Sequence, residues 1–154
     1  MGMNKLEEGL IAPCGMNCNI CSSYLAMKND VMGQGIKVRG CAGCRPRRNK
    51  PCSFTKRCDL LKNKQVKFCY ECSQFPCEKL KSLDRRYVAH YHMSEIENLN
   101  YIKENGMEKF LEREGEKWRC PECGGVISCH NGICYSCGRE KLKVLDEFRR
   151  WTRD

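Results

Sequence analysis

The chain has 154 residues, 15 cysteines and a formal net charge of +9, and 31% of its residues are charged. Leucine, isoleucine, valine and phenylalanine together make up about 19% of it. Charged chains with less than about 20% of these residues are expected to stay disordered. This composition excludes a fold that depends on a large apolar core alone. Because each structural zinc site contributes on the order of 10 kcal/mol to folding, we predict a small metal-dependent fold that is largely unfolded without its metal.

The cysteines indicate metal binding rather than disulfides if the protein is intracellular. The first ten residues carry Lys5, Glu7 and Glu8, and no stretch approaches the roughly 18 apolar residues of a membrane span. We therefore expect a soluble, cytoplasmic protein. In a reducing cytosol paired cysteine clusters favour metal, and an odd number of cysteines leaves at least one outside any complete set of disulfides.

We predict a small metal-rich α+β fold with four segments. These are an irregular, zinc-knuckle metal-binding domain over 10–82, a helical segment over 83–117, a zinc ribbon over 118–138 and an amphipathic helix over 139–154. The first segment holds ten cysteines and little periodic pattern, which is typical of loop-rich structure.

The ten cysteines of the first segment divide into candidate ligand sets. Four lie within eighteen residues, so loop-closure entropy favours their sharing one ion: Cys41, Cys44, Cys52 and Cys58. The other six form two distant triplets, Cys14, Cys18 and Cys21, then Cys69, Cys72 and Cys77. One knuckle from each triplet could form a single site and leave Cys14 and Cys77 over, or all six could hold two ions through bridging thiolates. The spacing leaves both pairings open.

The first triplet has a second interpretation. Its CxxxCxxC spacing is also that of the radical SAM enzymes, in which three thiolates hold a four-iron cluster. The resemblance ends at Cys14, Cys18 and Cys21, because such enzymes need a long barrel of strands and helices. Thiolate-only sites suit iron as well as zinc. An iron-sulfur cluster with a redox or radical-chemistry role is therefore the alternative to zinc at the N-terminal cysteines.

A basic loop lies between Cys44 and Cys52. It contains four cations: Arg45, Arg47, Arg48 and Lys50. The net charge itself says little about partners, because three divalent ions on twelve thiolates would lower it to about +3. A rigid, exposed loop between metal ligands nevertheless suits contact with nucleic-acid phosphates. The alternative is a solvated loop without a partner.

The cysteine-free middle of the chain predicts helices. Ser94 followed by Glu97 is the capping-box pattern of a helix start, and Asn105-Gly106 predicts the end of that helix. A second short helix is then predicted to carry Met107, Phe110, Leu111 and Trp118. Beyond residue 138, apolar residues at Leu142, Leu145, Phe148 and Trp151 predict an amphipathic helix docked on the body.

Two CxxCG knuckles indicate a zinc ribbon near the end of the chain. Their cysteines have the spacing of a tetrahedral four-thiolate site: Cys120, Cys123, Cys134 and Cys137. Asn131-Gly132 predicts a hairpin between the knuckles, because both turn residues can take a positive φ. At Gly124 and Gly138 we expect the backbone N–H to turn toward a thiolate sulfur. Cys129 and His130 are interpreted as structural.

The order of the N-terminal motifs resembles a cysteine-rich family, domain of unknown function 3795, found chiefly in anaerobic bacteria and archaea. The matching stretches are Ala12–Gly15 with Cys18 and Cys21, Gly40–Cys44 and Cys69–Leu80. The downstream helices and ribbon look like an extended form of that family. The resemblance implies zinc binding and no established activity.

Ordinary enzyme motifs are missing from the sequence. His90 and His92 are two residues apart, so on a helix they point away from each other and cannot share a metal. There is no glycine-rich phosphate loop or serine nucleophile motif, and four-cysteine sites are closed to substrate. We therefore expect a protein with about three or more zinc ions that binds a protein or nucleic acid, and not an enzyme.

Overall fold

A computed structural model of the chain describes residues 6–31, 33, 41–43 and 57–138. Within these ranges it contains five α-helices: α1 Ser22–Lys28, α2 Asp59–Lys62, α3 Glu78–Tyr91, α4 Glu95–Asn105 and α5 Met107–Lys117. Three single turns of 3₁₀-helix accompany them: Glu8–Leu10, Cys18–Ile20 and Cys69–Glu71. None of the helices in the described ranges has the length and apolar character needed to span a bilayer. The helix predicted over 139–154 lies outside the described residues.

Helices α3, α4 and α5 follow one another closely, and α4 packs against both neighbours. The Ser94 hydroxyl caps α4 by accepting the Glu97 backbone N–H at 3.1 Å, and it donates to the Asp84 carboxylate on α3 at 2.6 Å. Gly106 ends α4 at φ +91°, and α5 begins at the next residue. The start and the end predicted for this helix are therefore confirmed.

One apolar core joins the cysteine-rich segment, the helices and the C-terminal cysteine region. The N-terminal segment contributes Ile11 and Ile20, α4 contributes Leu99, and α5 contributes Phe110, all without exposed surface. Tyr135, between two of the predicted ribbon ligands, is 1% exposed in the same core. The C-terminal cysteines are thus anchored to the body of the protein.

Strand structure is sparse in the described part of the chain. It consists of three isolated antiparallel bridges: Ile11 with Asn17, Arg119 with Val126, and Ile127 with Cys134. The described fold is small and rich in helix, so neither the α+β class nor the β-ribbon is confirmed in detail.

The connection predicted as a two-residue hairpin turn is a longer turn. The Ser128 N–H donates to the Ile133 carbonyl at 3.0 Å, and the Gly132 N–H donates back to the Ser128 carbonyl at 2.9 Å. Residues 129–132 form the turn, and Gly132 adopts φ +72° while Asn131 does not take a positive φ. The turn is therefore longer than the two-residue turn that an Asn-Gly pair favours, and only Gly132 of the pair uses its freedom to take a positive φ.

The loop around Cys14 is held tightly against the helices. A Cβ on Gly15, whose φ is +91°, would lie 2.5 Å from the Glu95 carbonyl oxygen. The Gly15 carbonyl accepts the Asn98 side-chain amide at 3.0 Å. On the other side, the buried Asn17 amide donates to the Glu114 carboxylate at 3.3 Å. The N-terminal cysteine loop is thereby fixed to both α4 and α5.

Candidate metal centre

The four predicted ribbon cysteines come together at one point. The ligand sulfurs of Cys120, Cys123, Cys134 and Cys137 all lie within 4.8 Å of one another. The Sγ atoms of Cys120 and Cys137 are 3.6 Å apart, as are those of Cys123 and Cys134. A disulfide needs about 2.0 Å, so these pairs are not disulfides. Ligands at about 2.3 Å from a tetrahedral Zn²⁺ would be roughly 3.8 Å apart, so the sulfur spacing fits a shared metal ion.

Backbone hydrogen bonds shape the two knuckles. The Cys120 N–H donates to the Gly125 carbonyl at 2.8 Å, and the Gly124 N–H donates to the Cys120 carbonyl at 2.9 Å. In the second knuckle the Gly138 N–H donates to the Cys134 carbonyl at 2.7 Å. These bonds turn the chain sharply enough for both cysteines of a knuckle to face one point.

A backbone donor to sulfur that was not predicted is found next to Gly124. The Gly124 and Gly138 N–H groups donate to carbonyls, and the Gly125 N–H donates to Cys123 Sγ at 3.3 Å. A Cβ at Gly125 would lie 3.1 Å from Cys134 Sγ and 3.2 Å from Cys123 Sγ. Gly125 therefore lets the backbone approach two ligands at once. The sequence signal was the Gly124-Gly125 pair, in which the first residue, at φ +77°, makes the turn.

Hydrogen bonds within this group separate the acidities of Cys120 and Cys137. Hydrogen bonds from the backbone, first from Cys123 and then from Glu122, lower the pKa of Cys120 to about 7. Hydrogen bonds with the side chains of Cys123 and Cys120 raise the pKa of Cys137 to about 12. The group can therefore lose one proton near neutral pH but resists losing the last. A divalent cation removes this resistance, since it neutralises the accumulated negative charge.

Cys129 and His130 lie beside this centre without joining it. Cys129 has no exposed surface, burial raises its pKa well above its ordinary value, and its N–H donates to the Ile20 carbonyl at 3.0 Å. The Nδ1 atom of His130 accepts the Ser22 N–H at 3.1 Å, and its Nε2 lies 3.3 Å from the Tyr87 hydroxyl. Both ring nitrogens already have protein partners, and both residues connect the C-terminal cysteines to the N-terminal segment.

The structure describes only some of the remaining predicted ligands. Of the local set, Cys41 and Cys58 are described, while Cys44 and Cys52 lie outside the described residues, as do Arg45, Arg47, Arg48 and Lys50. The two triplet segments are neighbours, because the Cys69 N–H donates to the Pro13 carbonyl at 2.9 Å. Across the described ranges, the C-terminal four are the only group of three or more metal-binding side chains whose ligand atoms lie within 4.8 Å. The ligand role of the other cysteines stays a prediction.

Sequence reasoning missed two buried carboxylates. Glu95 has no exposed surface, and neither carboxylate oxygen has a hydrogen-bond partner among the described residues. Burial, and then the charge of Asp84, raise its pKa to about 8. Glu114 is 1% exposed, and burial raises its pKa although Asn17 donates to it. Both residues look like ordinary surface positions in the sequence, so no local pattern could have identified them.

Comparison with known families adds one finding. Residues 10–82 match the family described as "Protein of unknown function (DUF3795)", and this range includes every stretch on which the resemblance was based. Comparisons with curated proteins and with solved structures gave no match. The resemblance predicted from the cysteine motifs is confirmed over residues 10–82, where this cysteine-rich chain matches the DUF3795 family.

Proposed function

We propose that the C-terminal four-cysteine centre binds one structural Zn²⁺ ion and that the protein acts as an interaction module and not as an enzyme. The observation that carries the zinc assignment is the group of four sulfurs within 4.8 Å of one another. Four thiolates fill all positions of a tetrahedral ion, which leaves none for a substrate or water. Such an ion stabilises a fold and does not catalyse.

Metal analysis of the purified protein tests this assignment. Cys123→Ser should lose one zinc ion per chain, whereas Ser136→Ala, an exposed position in the second knuckle, should keep it. Purification without oxygen should give a colourless protein. Iron and acid-labile sulfide that disappear in Cys123→Ser would contradict zinc at this centre, as would an unchanged zinc content in that variant.

The basic region supports nucleic acid as the partner of this module. Between residues 45 and 67 the chain has nine lysines and arginines and one acidic residue, Asp59. In the described part of this stretch, Arg57, Lys62, Lys64 and Lys67 are exposed. Their charges are thus available to phosphates, which dominate the affinity of such complexes.

A charge-matched pair of variants tests the nucleic-acid partner. Replacing Arg45, Arg47, Arg48 and Lys50 with alanine should weaken binding to mixed-sequence RNA or DNA and reduce the salt dependence, by about one unit of slope per lost phosphate contact. The control removes four exposed cations elsewhere: Lys28, Arg85, Lys103 and Lys109. An equal loss of affinity in both variants would show that the overall charge, and not the basic loop, determines binding. If the unaltered protein binds neither RNA nor DNA, the proposal of a nucleic-acid partner is wrong.

A further inference from the structure

A second group of four cysteines lines a cleft of about 730 Å³. Its members come from three segments: Cys58 precedes α2, Cys69 and Cys72 belong to the 3₁₀ turn and its end, and Cys77 precedes α3. The first and the last are nineteen positions apart along the chain. Proximity in sequence alone placed Cys58 with Cys41, whereas the fold places it with the later cysteines.

Contacts at the rim hold these segments together. The Lys79 ammonium on the first turn of α3 donates to the Arg57 carbonyl, directly before Cys58. The Cys72 N–H donates to the Cys69 carbonyl at 3.1 Å, and the Phe75 N–H donates to the Cys72 carbonyl at 3.1 Å. Successive turns thus bring the chain from Cys69 around to Cys77, while Lys79 keeps the start of α2 beside the start of α3.

One of these cysteines has the backbone bond seen in the C-terminal centre. The Gln74 N–H donates to Cys72 Sγ at 3.4 Å, two residues along the chain. The Gly125 N–H makes the same bond to Cys123 Sγ at 3.3 Å. Such a donor stabilises a sulfur that carries negative charge. The turn after Cys72 therefore has the local form of a metal-binding knuckle.

The cleft also favours thiolates bound to a cation. Cys69 is buried and the other three cysteines are half-buried, with Leu61, Val66, Phe75 and Leu80 among the lining residues. An apolar lining strengthens the attraction between thiolates and a metal ion. Cys77 is the N-cap of the 14-residue helix α3, where the helix dipole stabilises negative charge.

We propose that Cys58, Cys69, Cys72 and Cys77 together bind a second Zn²⁺ ion. The inference rests on the proposed zinc function and extends it to residues 10–82. It replaces both pairings that the spacing left open with a third. No three of these ligand sulfurs lie within 4.8 Å of one another, so the sulfurs must move closer together when the ion binds. The assignment separates Cys58 from Cys41 and separates the second triplet from Cys14, Cys18 and Cys21.

Cadmium-substituted protein provides a direct test of the pairing. NMR spectra that correlate the cadmium nucleus with cysteine β-protons should show one resonance connected to Cys58, Cys69, Cys72 and Cys77. A separate resonance connected to the four C-terminal cysteines reports on the first centre, so the two proposals succeed or fail independently. A cadmium shared by Cys58 and Cys41, or by Cys69 and Cys14, would overturn the pairing.

Variants supply an independent readout. Cys58→Ser and Cys77→Ser should each lower the zinc content by one ion per chain and leave the C-terminal cadmium resonance in place. Ser73→Ala, which alters an exposed residue of the same cleft, should keep the full zinc content. Unchanged zinc in both cysteine variants would overturn the proposal. So would loss of iron and sulfide in place of zinc.

Discussion

Glu95 is buried, although its place in the sequence predicts an exposed side chain. It is the first residue of α4, where a carboxylate ordinarily faces solvent and favours the helix dipole. Here it has no exposed surface and its oxygens have no hydrogen-bond partner in the described part of the chain. The carboxyl is therefore held in its neutral form well above the usual pH, because ionisation in that position lacks solvation.

The substitution Glu95→Gln tests this account through the pH dependence of stability. Since burial raises the folded-state pKa from 4.5 to about 8, only the unfolded chain ionises between these values. The wild type should therefore lose stability as pH rises across this window, by about 1.4 kcal/mol per pH unit. The neutral glutamine abolishes this contribution. The free energy of unfolding of the variant should therefore increase relative to that of the wild type from pH 5 to pH 8.

Urea unfolding at several pH values measures that difference. Glu104→Gln, at an exposed position on the same helix, serves as the control and should run parallel to the wild type. If the Glu95→Gln curve also stays parallel to the wild type over the whole window, the carboxyl is ionised in the folded protein and the account is wrong.

At the scale of elements, two glycines differ in backbone conformation. Gly106 joins α4 to α5 at φ +91°, while Gly115 lies inside α5 with an ordinary helical backbone. Neither has a neighbour within 4 Å of the position that a Cβ would take. Packing therefore cannot separate them, and any difference between their alanine variants arises from the backbone.

Gly115→Ala should stabilise the protein by about 1 kcal/mol, because alanine has the higher helix propensity and restricts the unfolded chain. Gly106→Ala should destabilise it by about 1–2 kcal/mol, because an L-residue is strained at that φ. Chemical denaturation of both variants at one pH provides the comparison. Changes of the same sign would mean that the junction between α4 and α5 relaxes to a different backbone conformation.

The cap of α4 supports a second prediction at this scale. Ser94→Ala removes the acceptor for the Glu97 N–H and the donor to Asp84, so it should cost about 1–2 kcal/mol. Ser82→Ala, at an exposed position inside α3, should change stability by less than about 0.5 kcal/mol. Equal melting temperatures for the two variants would show that the cap contributes nothing.

The sequence predicted elements where the information is local. Ser94, Glu97 and Gly106 determine α4 within one helix length, and the two CxxCG knuckles place four sulfurs together through short turns. Sequence failed where contacts are distant. Cys58 and Cys77 line one cleft although they precede different helices, and the Glu95 backbone lies against the Gly15 loop, eighty residues earlier in the chain. Neither leaves a periodic or spacing signal.

For the whole molecule, the C-terminal centre and the body share one core. Trp118, Ile133 and Tyr135 are within two residues of cysteines of the centre along the chain. All three are buried in the same core as Ile20. The Cys129 N–H also donates to the Ile20 carbonyl. Loss of order at the metal centre would expose this side of the core, so local and global stability are coupled.

Metal removal should therefore unfold more than the cysteine regions. A structural zinc site contributes on the order of 10 kcal/mol, which is comparable with the whole stability of a small domain. We expect a chelator to abolish the cooperative thermal transition and most of the helical circular dichroism, including that of α3, α4 and α5. Returning Zn²⁺ should restore both signals, whereas Mg²⁺, which prefers oxygen ligands, should not. Helices that still melt cooperatively in metal-free protein would show that the shared core is stable without its metal.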